Sequence, residues 1–101
     1  VAEMQARYSP YPFVEGTHMQ HSFGHLYGYS AIYYTYMWSL VIAKDMFSAF
    51  EKAGILDKAT AMKYRRTILG QGGNKDAADL VKDFLGRPYN FEAFERWLNK
   101  D

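Results

Sequence analysis

Three histidines, His18, His21 and His25, stand close together near the start of the chain, and imidazole is a frequent zinc ligand. The last two frame the stretch H-S-F-G-H, which resembles the zinc motif H-E-x-x-H with Ser22 in place of the glutamate. That glutamate is the base toward metal-bound water, and a serine cannot replace it at neutral pH. On one helix, His18 and His25 would lie about 10 Å apart along the axis, too far to share an ion. The sequence therefore predicts no zinc site within these residues.

A row of tyrosines follows the histidines directly. On a continuous helix, Tyr29, Tyr33 and Tyr36 would fall within about 60° of one another. They would then be either core side chains bonded to backbone carbonyls or hydrogen-bond donors lining a cleft behind His25. A phenol donates without carrying charge, which suits an oxygen that becomes negative only in a transition state. Spacing alone favours the interpretation as packed core side chains, and a cleft lined by their hydroxyls is the alternative.

The stretch GQGGNK at 70–75 suggests a phosphate-binding loop but does not meet its requirements. A P-loop needs four residues between its first glycine and the Gly-Lys-Ser/Thr, and it follows a strand. Neither condition holds here, so these glycines are interpreted as a helix end and a turn.

Composition narrows the class of protein. The chain has 101 residues, of which 18% are aromatic and 49% hydrophobic. A small interior cannot hold so many rings, so some must lie at the surface, in a cleft or against a partner. The net charge of +1 gives no electrostatic footprint for nucleic acid or an anionic membrane. Without cysteine, a disulfide framework or a thiolate zinc site is excluded.

The longest nearly apolar run covers residues 32–43 and is far shorter than the ~20 residues that cross a bilayer. This run is interpreted as a buried helix, so no membrane is expected as a partner. The near-neutral net charge means that no nucleic acid is expected either. No signal peptide is recognisable. The compartment stays open, with the cytoplasm favoured over the periplasm.

The elements that would position these side chains are helical, and the predicted class is all-α with one long buried helix and three shorter ones. Residues 1–17 contain two prolines and are predicted to be extended. Residues 18–28 are predicted to form a loop rich in His and Gly, and Thr17, just before it, could cap a short helical turn. Residues 29–101 are predicted to be helical.

Within the helical part, Ser30 is the predicted cap of a long helix that ends at Gly54. Its first half is apolar on nearly every face, as expected for a helix inside a larger protein. Its last turns are predicted to face solvent, since they carry Lys44, Asp45, Glu51 and Lys52. Three shorter helices follow: one capped by Asp57 and stopping at Gly70, one from Ala77 to Leu85 with Gly86 beyond it, and one capped by Asn90.

Together these landmarks resemble the C-terminal end of the thimet oligopeptidase, neurolysin and oligopeptidase A family of zinc metallopeptidases. That family's pattern is a histidine, a glycine-containing loop and then Y-x-x-x-Y-Y-x-Y-x-W. It stands here as His25, Gly28 and YSAIYYTYMW from Tyr29 to Trp38. The downstream landmarks are DMF at 45–47, EKAGIL at 51–56, YRRTIL at 64–69, GGNKDA at 72–77 and FLGRPYNFEAF at 84–94. The resemblance covers essentially everything from His21 to the end.

The resemblance implies that the chain is the C-terminal part of a helical, zincin-type catalytic domain that hydrolyses short peptides with zinc-activated water. Tyr33 and Tyr36 match tyrosines that stabilise the tetrahedral oxyanion. His25 and Tyr29 match residues that bind the peptide backbone, and Gly28 lies in the flexible loop between them. This loop, H-L-Y-G-Y, is one residue shorter than the H-x-x-G-G-Y of the family pattern.

The family's zinc ligands, an H-E-x-x-H and a third glutamate, are implied to lie upstream of Val1. Zinc is thus expected in the full-length parent, with none bound by this segment, which alone should be inactive. The implied partners are the upstream remainder of the catalytic domain and short peptide substrates. The isolated chain is expected to self-associate through apolar surface on its long helix. The alternative is a non-catalytic helical interaction domain, whose aromatic and Met side chains form a partner-binding surface.

Overall fold

A computed structural model describes residues 1–99 of the chain. It divides into a first compact unit, Val1–Thr35, and a second unit that begins at Tyr36. The structure is 66% helical and has no strand among its described residues, which confirms the all-α prediction.

The first unit contains only short helical elements. They are α1 (Ala2–Tyr8), α2 (Met19–Ser22), α3 (His25–Gly28) and a 3₁₀ turn over Ser30–Ile32. None of residues 1–35 is buried, so this unit has no core of its own. The prediction that residues 1–17 are extended is wrong for α1. Besides its own φ, a proline restricts the residue before it, and the restriction reaches Ser9, which is extended at φ −93° and ψ 139°.

Two predicted helix caps in the first unit are also wrong. The Thr17 hydroxyl donates to the carbonyl oxygen of Val14 at 2.6 Å, and α2 has no side-chain cap. Ser30 has φ +46°, a left-handed conformation that ends one turn rather than starting a helix. The backbone amide of Tyr29 already bonds to the carbonyl oxygen of His25 at 2.9 Å, so α3 closes on itself before Ser30. The long helix therefore starts only at Thr35.

The helices α4 to α7 agree more closely with the predictions. Their bounds are α4 (Thr35–Ala53), α5 (Lys58–Tyr64), which continues as a π-helical turn over Arg65–Leu69, α6 (Ala77–Leu85) and α7 (Glu92–Leu98). Asp57 caps α5 as predicted, since its Oδ2 accepts the backbone amide of Thr60 at 2.7 Å. Gly86 ends α6 at φ +77°, a conformation that glycine adopts without strain. Asn90 lies one residue before Phe91, the residue at the N-cap position of α7, and its Oδ1 accepts the backbone amide of Glu92 at 3.1 Å.

The core of the second unit lies between α4, α5, α6 and α7. Its buried apolar residues are Val41, Leu80, Val81, Phe84 and Ala93. Rings from three helices meet beside them: the centroid of Phe84 lies 6.1 Å from that of Phe50 and 5.4 Å from that of Tyr64. These contacts, between residues far apart in the chain, fix the direction of α4 within the second unit.

One side chain of α4 contradicts the prediction that its last turns face solvent. Asp45 is only 1% exposed. Its Oδ1 accepts from Nη2 of Arg87 at 2.6 Å, and its Oδ2 accepts from Nη1 of Arg87 at 2.8 Å and from the backbone amide of Asn90 at 2.9 Å. A carboxylate is tolerated inside a small core when its oxygens are paired in this way.

The first turns of α4 are open within this chain, as expected for a helix whose first half is covered only in a larger protein. Tyr36 and Met37 are 68% and 58% exposed. Among the described residues, no helix has both the length and the apolar character needed to cross a membrane.

Candidate functional site

The first unit brings three of the five candidate residues into one aromatic cluster. The imidazole of His25 stacks on the ring of Tyr33, with centroids 5.3 Å apart and planes inclined by 19°. The ring of Tyr29 lies 5.5 Å from the same imidazole at 52°. His25 and Tyr29 are exposed and Tyr33 is half-buried, so the cluster lies at the surface of the first unit.

Local backbone structure explains why these side chains meet. His25 opens α3, and Tyr29 follows the last residue of that single turn. The 3₁₀ turn that begins at the left-handed Ser30 separates Tyr29 from Tyr33. The three phenols predicted on one continuous helix therefore belong to different elements, and it is the turn rather than helical spacing that brings Tyr33 to His25.

The remaining two candidates are placed differently. Gly28 is the last residue of α3, and a Cβ built on it would meet nothing within 4 Å. Tyr36 lies on the first turn of α4 and is the first residue of the second unit. The structure thus groups His25, Gly28, Tyr29 and Tyr33 within the first unit, while Tyr36 is described within the second.

Sequence reasoning missed one member of the cluster, Phe23. Its ring stands edge-on to Tyr33 at 4.9 Å and 89°, and edge-on to His25 at 5.7 Å and 86°. Phe23 is half-buried, whereas most of the first unit is exposed. The signal for Phe23 in the sequence is its position two residues before His25 in H-S-F-G-H.

Metal ligation is the other candidate chemistry, because the resemblance to a zinc peptidase family implies zinc. Among residues 1–99, no group of three His, Cys, Asp or Glu side chains is placed to hold a metal ion. The rings of His18 and His21 stack on each other at 5.0 Å, while His25 stacks on Tyr33. The histidines also do not share one helix, since α2 ends at Ser22 and α3 begins at His25. The described residues therefore do not fit a zinc centre.

What the cluster can do chemically follows from its groups. Phenol hydroxyls and an imidazole N–H donate hydrogen bonds, and at the protein surface they can reach a carbonyl oxygen of a bound chain. None of them needs a charge to do so, which favours binding and polarising an amide over attacking it. The cluster is therefore suited to peptide binding and to stabilising developing negative charge.

Comparison with known proteins gives the family. Residues 1–100 match the family model described as Peptidase family M3. Among curated proteins, oligopeptidase A of Escherichia coli strain K12 is 36% identical over 95 residues, covering 92% of this chain and 14% of that protein. Mitochondrial intermediate peptidase of Coprinopsis cinerea is 39% identical over 77 residues, covering 76% of this chain and 10% of that protein.

A plant protein gives a similar match. The probable cytosolic oligopeptidase A of Arabidopsis thaliana is 44% identical over 72 residues, covering 65% of this chain and 10% of that protein. The chain thus spans only 10% to 14% of the length of these relatives. Because the family model covers nearly every residue, the resemblance inferred from the sequence is confirmed, and the chain belongs to peptidase family M3.

Proposed function

We propose that this chain is part of a zinc-dependent oligopeptidase, a metalloendopeptidase that hydrolyses short peptides. In this proposal, residues 1–101 belong to the C-terminal part of one larger helical catalytic domain. The segment supplies contacts to the substrate and the transition state, and the zinc ligands lie elsewhere in the full-length protein. Family membership supports the reaction class.

The observation that carries the proposal is the contact between His25 and Tyr33, at 5.3 Å. It places an imidazole and a phenol side by side at the surface of the first unit, where an extended peptide could bind both. We assign backbone binding to His25 and Tyr29, with Gly28 leaving room for the chain of the substrate. Tyr33 and Tyr36 are assigned to the carbonyl oxygen of the scissile bond, to which their hydroxyls would donate as it becomes negative.

Apolar exposure supports the proposed partner, the upstream remainder of the catalytic domain. In the first unit, Val1, Met4, Tyr8 and Met19 line an open groove and are each more than half exposed. A unit without a buried residue needs further contacts to be stable, because burial of apolar surface is the main favourable term in folding. We infer that upstream residues of the same polypeptide cover this surface.

The proposal is tested by comparing variants of the full-length protein that each lack one phenol oxygen. Tyr33→Phe and Tyr36→Phe each remove one hydroxyl, and removing one oxyanion donor typically lowers kcat by about 10² to 10³. We expect kcat on a fluorogenic short peptide to fall in that range, while KM changes little. Tyr11→Phe is the matched control, since Tyr11 is an exposed tyrosine of the first unit outside the cluster. The proposal is refuted if both variants retain the kcat of the unmodified protein.

The alternative function is a non-catalytic helical interaction domain, and the exposure of large apolar side chains favours it. Tyr27 and Leu56 are 95% and 91% exposed, and exposed apolar patches often mark protein interfaces. Both functions predict that the isolated chain self-associates, so sedimentation alone does not separate them. Peptide hydrolysis by the full-length protein that is lost in Tyr36→Phe distinguishes the two functions, because an interaction domain does not need that hydroxyl.

A further inference from the structure

We propose that Phe23 is a positioning residue, which holds His25 and Tyr33 in the orientation that binds the substrate. This inference rests on the proposed function and adds to it a residue that has no polar atom. Phe23 contacts both proposed site residues directly, at 5.7 Å from His25 and 4.9 Å from Tyr33 between ring centroids.

The three rings form a closed arrangement in which each contacts the other two. His25 and Tyr33 are nearly parallel, at 19°, and the plane of Phe23 is almost perpendicular to both, at 86° and 89°. Offset-stacked and edge-to-face pairs are the preferred geometries of aromatic rings at these separations. Rotation of either site ring about χ1 would break its contact with Phe23 as well as the stack.

Phe23 is one of the few half-buried side chains of the first unit. None of residues 1–35 is buried, so within this unit no packed interior fixes the side chains. Phe23 and Tyr33 are half-buried while His25 is exposed. Phe23 contacts both rings of the His25–Tyr33 pair, and Tyr29 contacts His25.

The position of the two rings matters for catalysis because hydrogen-bond donors act only at correct distance and angle. A displacement of about 1 Å can lower a rate by about 10², and functional side chains need a supporting layer of packed neighbours to stay within tolerance. Phe23 has no group that could take part in the reaction itself. Its effect must therefore pass through the two rings that it contacts.

The first measurement reports the ring arrangement without any activity. In the full-length protein with isotope-labelled His and Tyr rings, two-dimensional NMR gives nuclear Overhauser contacts between the imidazole of His25 and the ring of Tyr33. In Phe23→Leu we expect these contacts to weaken and the His25 ring protons to lose their ring-current shifts. In Phe23→Tyr, which keeps the ring, both should be retained. Phe13→Leu is the matched control, because Phe13 is the other phenylalanine of the first unit and is also half-buried.

The second measurement is kinetic and uses the full-length protein. We expect Phe23→Leu to lower kcat on a short peptide by about 10- to 100-fold with KM within about threefold, while Phe23→Tyr and Phe13→Leu stay near the unmodified values. The inference is overturned if the His25–Tyr33 contacts persist in Phe23→Leu. It is also overturned if these contacts are lost and kcat is unchanged. In either case the proposed function stands as long as Tyr33→Phe lowers kcat. If Tyr33→Phe itself keeps full kcat, the role assigned to Tyr33 and the catalytic role of Phe23 are overturned. If Tyr36→Phe keeps full kcat as well, the proposed function also fails.

Discussion

Arg87 holds both carboxylate oxygens of Asp45, with Nη1 at 2.8 Å from Oδ2 and Nη2 at 2.6 Å from Oδ1. The two residues are 42 positions apart, so the pair ties the segment after α6 to the middle of α4. The backbone amide of Asn90 donates to the same carboxylate. Among the described residues, no buried side-chain polar atom is left without a partner. The pair is therefore complete, and its loss should be felt in the stability of the second unit.

The same pairing brings aromatic side chains to the start of α4. Tyr89 lies between the two residues that bond to Asp45, and its ring is 6.1 Å from that of Trp38, nearly perpendicular to it. Phe91 lies on the same segment as Tyr89, and its ring centroid is 5.9 Å from that of Trp38. Trp38 is two residues beyond Tyr36, so these contacts support the first turns of the helix that carries a proposed catalytic phenol.

Arg87→Met should destabilise the chain substantially. The change leaves the Asp45 carboxylate buried with only the amide of Asn90 as its partner, and breaking a buried pair from one side costs about 3–5 kcal/mol. The Arg87 side chain is 40% exposed while that of Asp45 is 2% exposed. Water therefore replaces part of what is lost, and we expect about 2–3 kcal/mol. Urea unfolding followed by far-UV circular dichroism measures this difference.

The matched control is Lys75→Met, which breaks an ion pair at the surface. The side chains of Lys75 and Asp83 are 44% and 48% exposed, and such pairs contribute little because water screens them. We expect the urea midpoint of this variant to stay close to that of the unmodified chain. Equal losses for the two variants would contradict the distinction drawn between the pairs.

The pH dependence of stability follows from the same carboxylate. The hydrogen bonds from the Arg87 guanidinium hold the pKa of Asp45 below its ordinary value of 3.8, against the opposing effect of burial. A carboxyl whose pKa is lowered by folding stabilises the native state above its unfolded-state pKa. That contribution is lost as the pH falls through 3.8 toward the lower native pKa. We therefore expect a constant free energy of unfolding above about pH 5 and a decline below about pH 4.

Asp45→Asn isolates this contribution, because the amide does not titrate in the window. The variant should be less stable at neutral pH, and its free energy of unfolding should fall less steeply between about pH 4 and about pH 2. Some slope remains, since the backbone amide of Thr60 also lowers the pKa of Asp57. Urea unfolding across this pH range gives both slopes. An unchanged slope in Asp45→Asn would show that Asp45 does not carry the acid sensitivity.

The features that the sequence predicted correctly are those formed by near neighbours. Asp57 caps α5 with a bond that spans three residues, and Gly86 ends α6 through its own backbone conformation. Such signals depend on the type of one residue and its position beside an apolar repeat, so they can be identified without a tertiary structure.

The features that were missed depend on distant or strained contacts. The burial of Asp45 requires Arg87, which lies in another helix–loop segment, and a polar residue late in a helix gave no indication of such a partner. The left-handed Ser30 is a conformation that a non-glycine residue rarely adopts. The cluster of His25, Tyr33 and Phe23 depends on that turn, so helical spacing could identify its tyrosines but could not bring them together.

The isolated 101-residue chain should show no zinc-dependent peptide cleavage. Residues 1–99 contain no three-ligand cluster, and catalytic zinc needs about three protein ligands to be held with an open position. A fluorogenic short peptide incubated with the chain and added zinc measures this, with the full-length protein as the positive control. Turnover by the isolated chain that a chelator abolishes would contradict the prediction.

Gly28→Ala should separate the structural role of this glycine from its proposed role in substrate binding. A Cβ at Gly28 meets nothing within 4 Å and its φ is not positive, so the change is not strained in this chain. Alanine at such a helical position typically stabilises by about 0.4–1 kcal/mol. Slower hydrogen exchange is therefore expected at the amide of Tyr29, which bonds to the carbonyl oxygen of His25.

In the full-length protein the same variant should lower kcat/KM about tenfold, because the added methyl group stiffens α3 and occupies the space assigned to the substrate backbone. Gly24→Ala is the control: Gly24 stands at the other end of α3 with φ −56°, and its Cβ also meets nothing within 4 Å. It should leave kcat/KM unchanged. If both variants retain full kcat/KM, Gly28 has no part in binding peptides. If both lose it equally, the loss comes from stiffening α3 as a whole, and the room assigned to the substrate at Gly28 is not what the reaction requires.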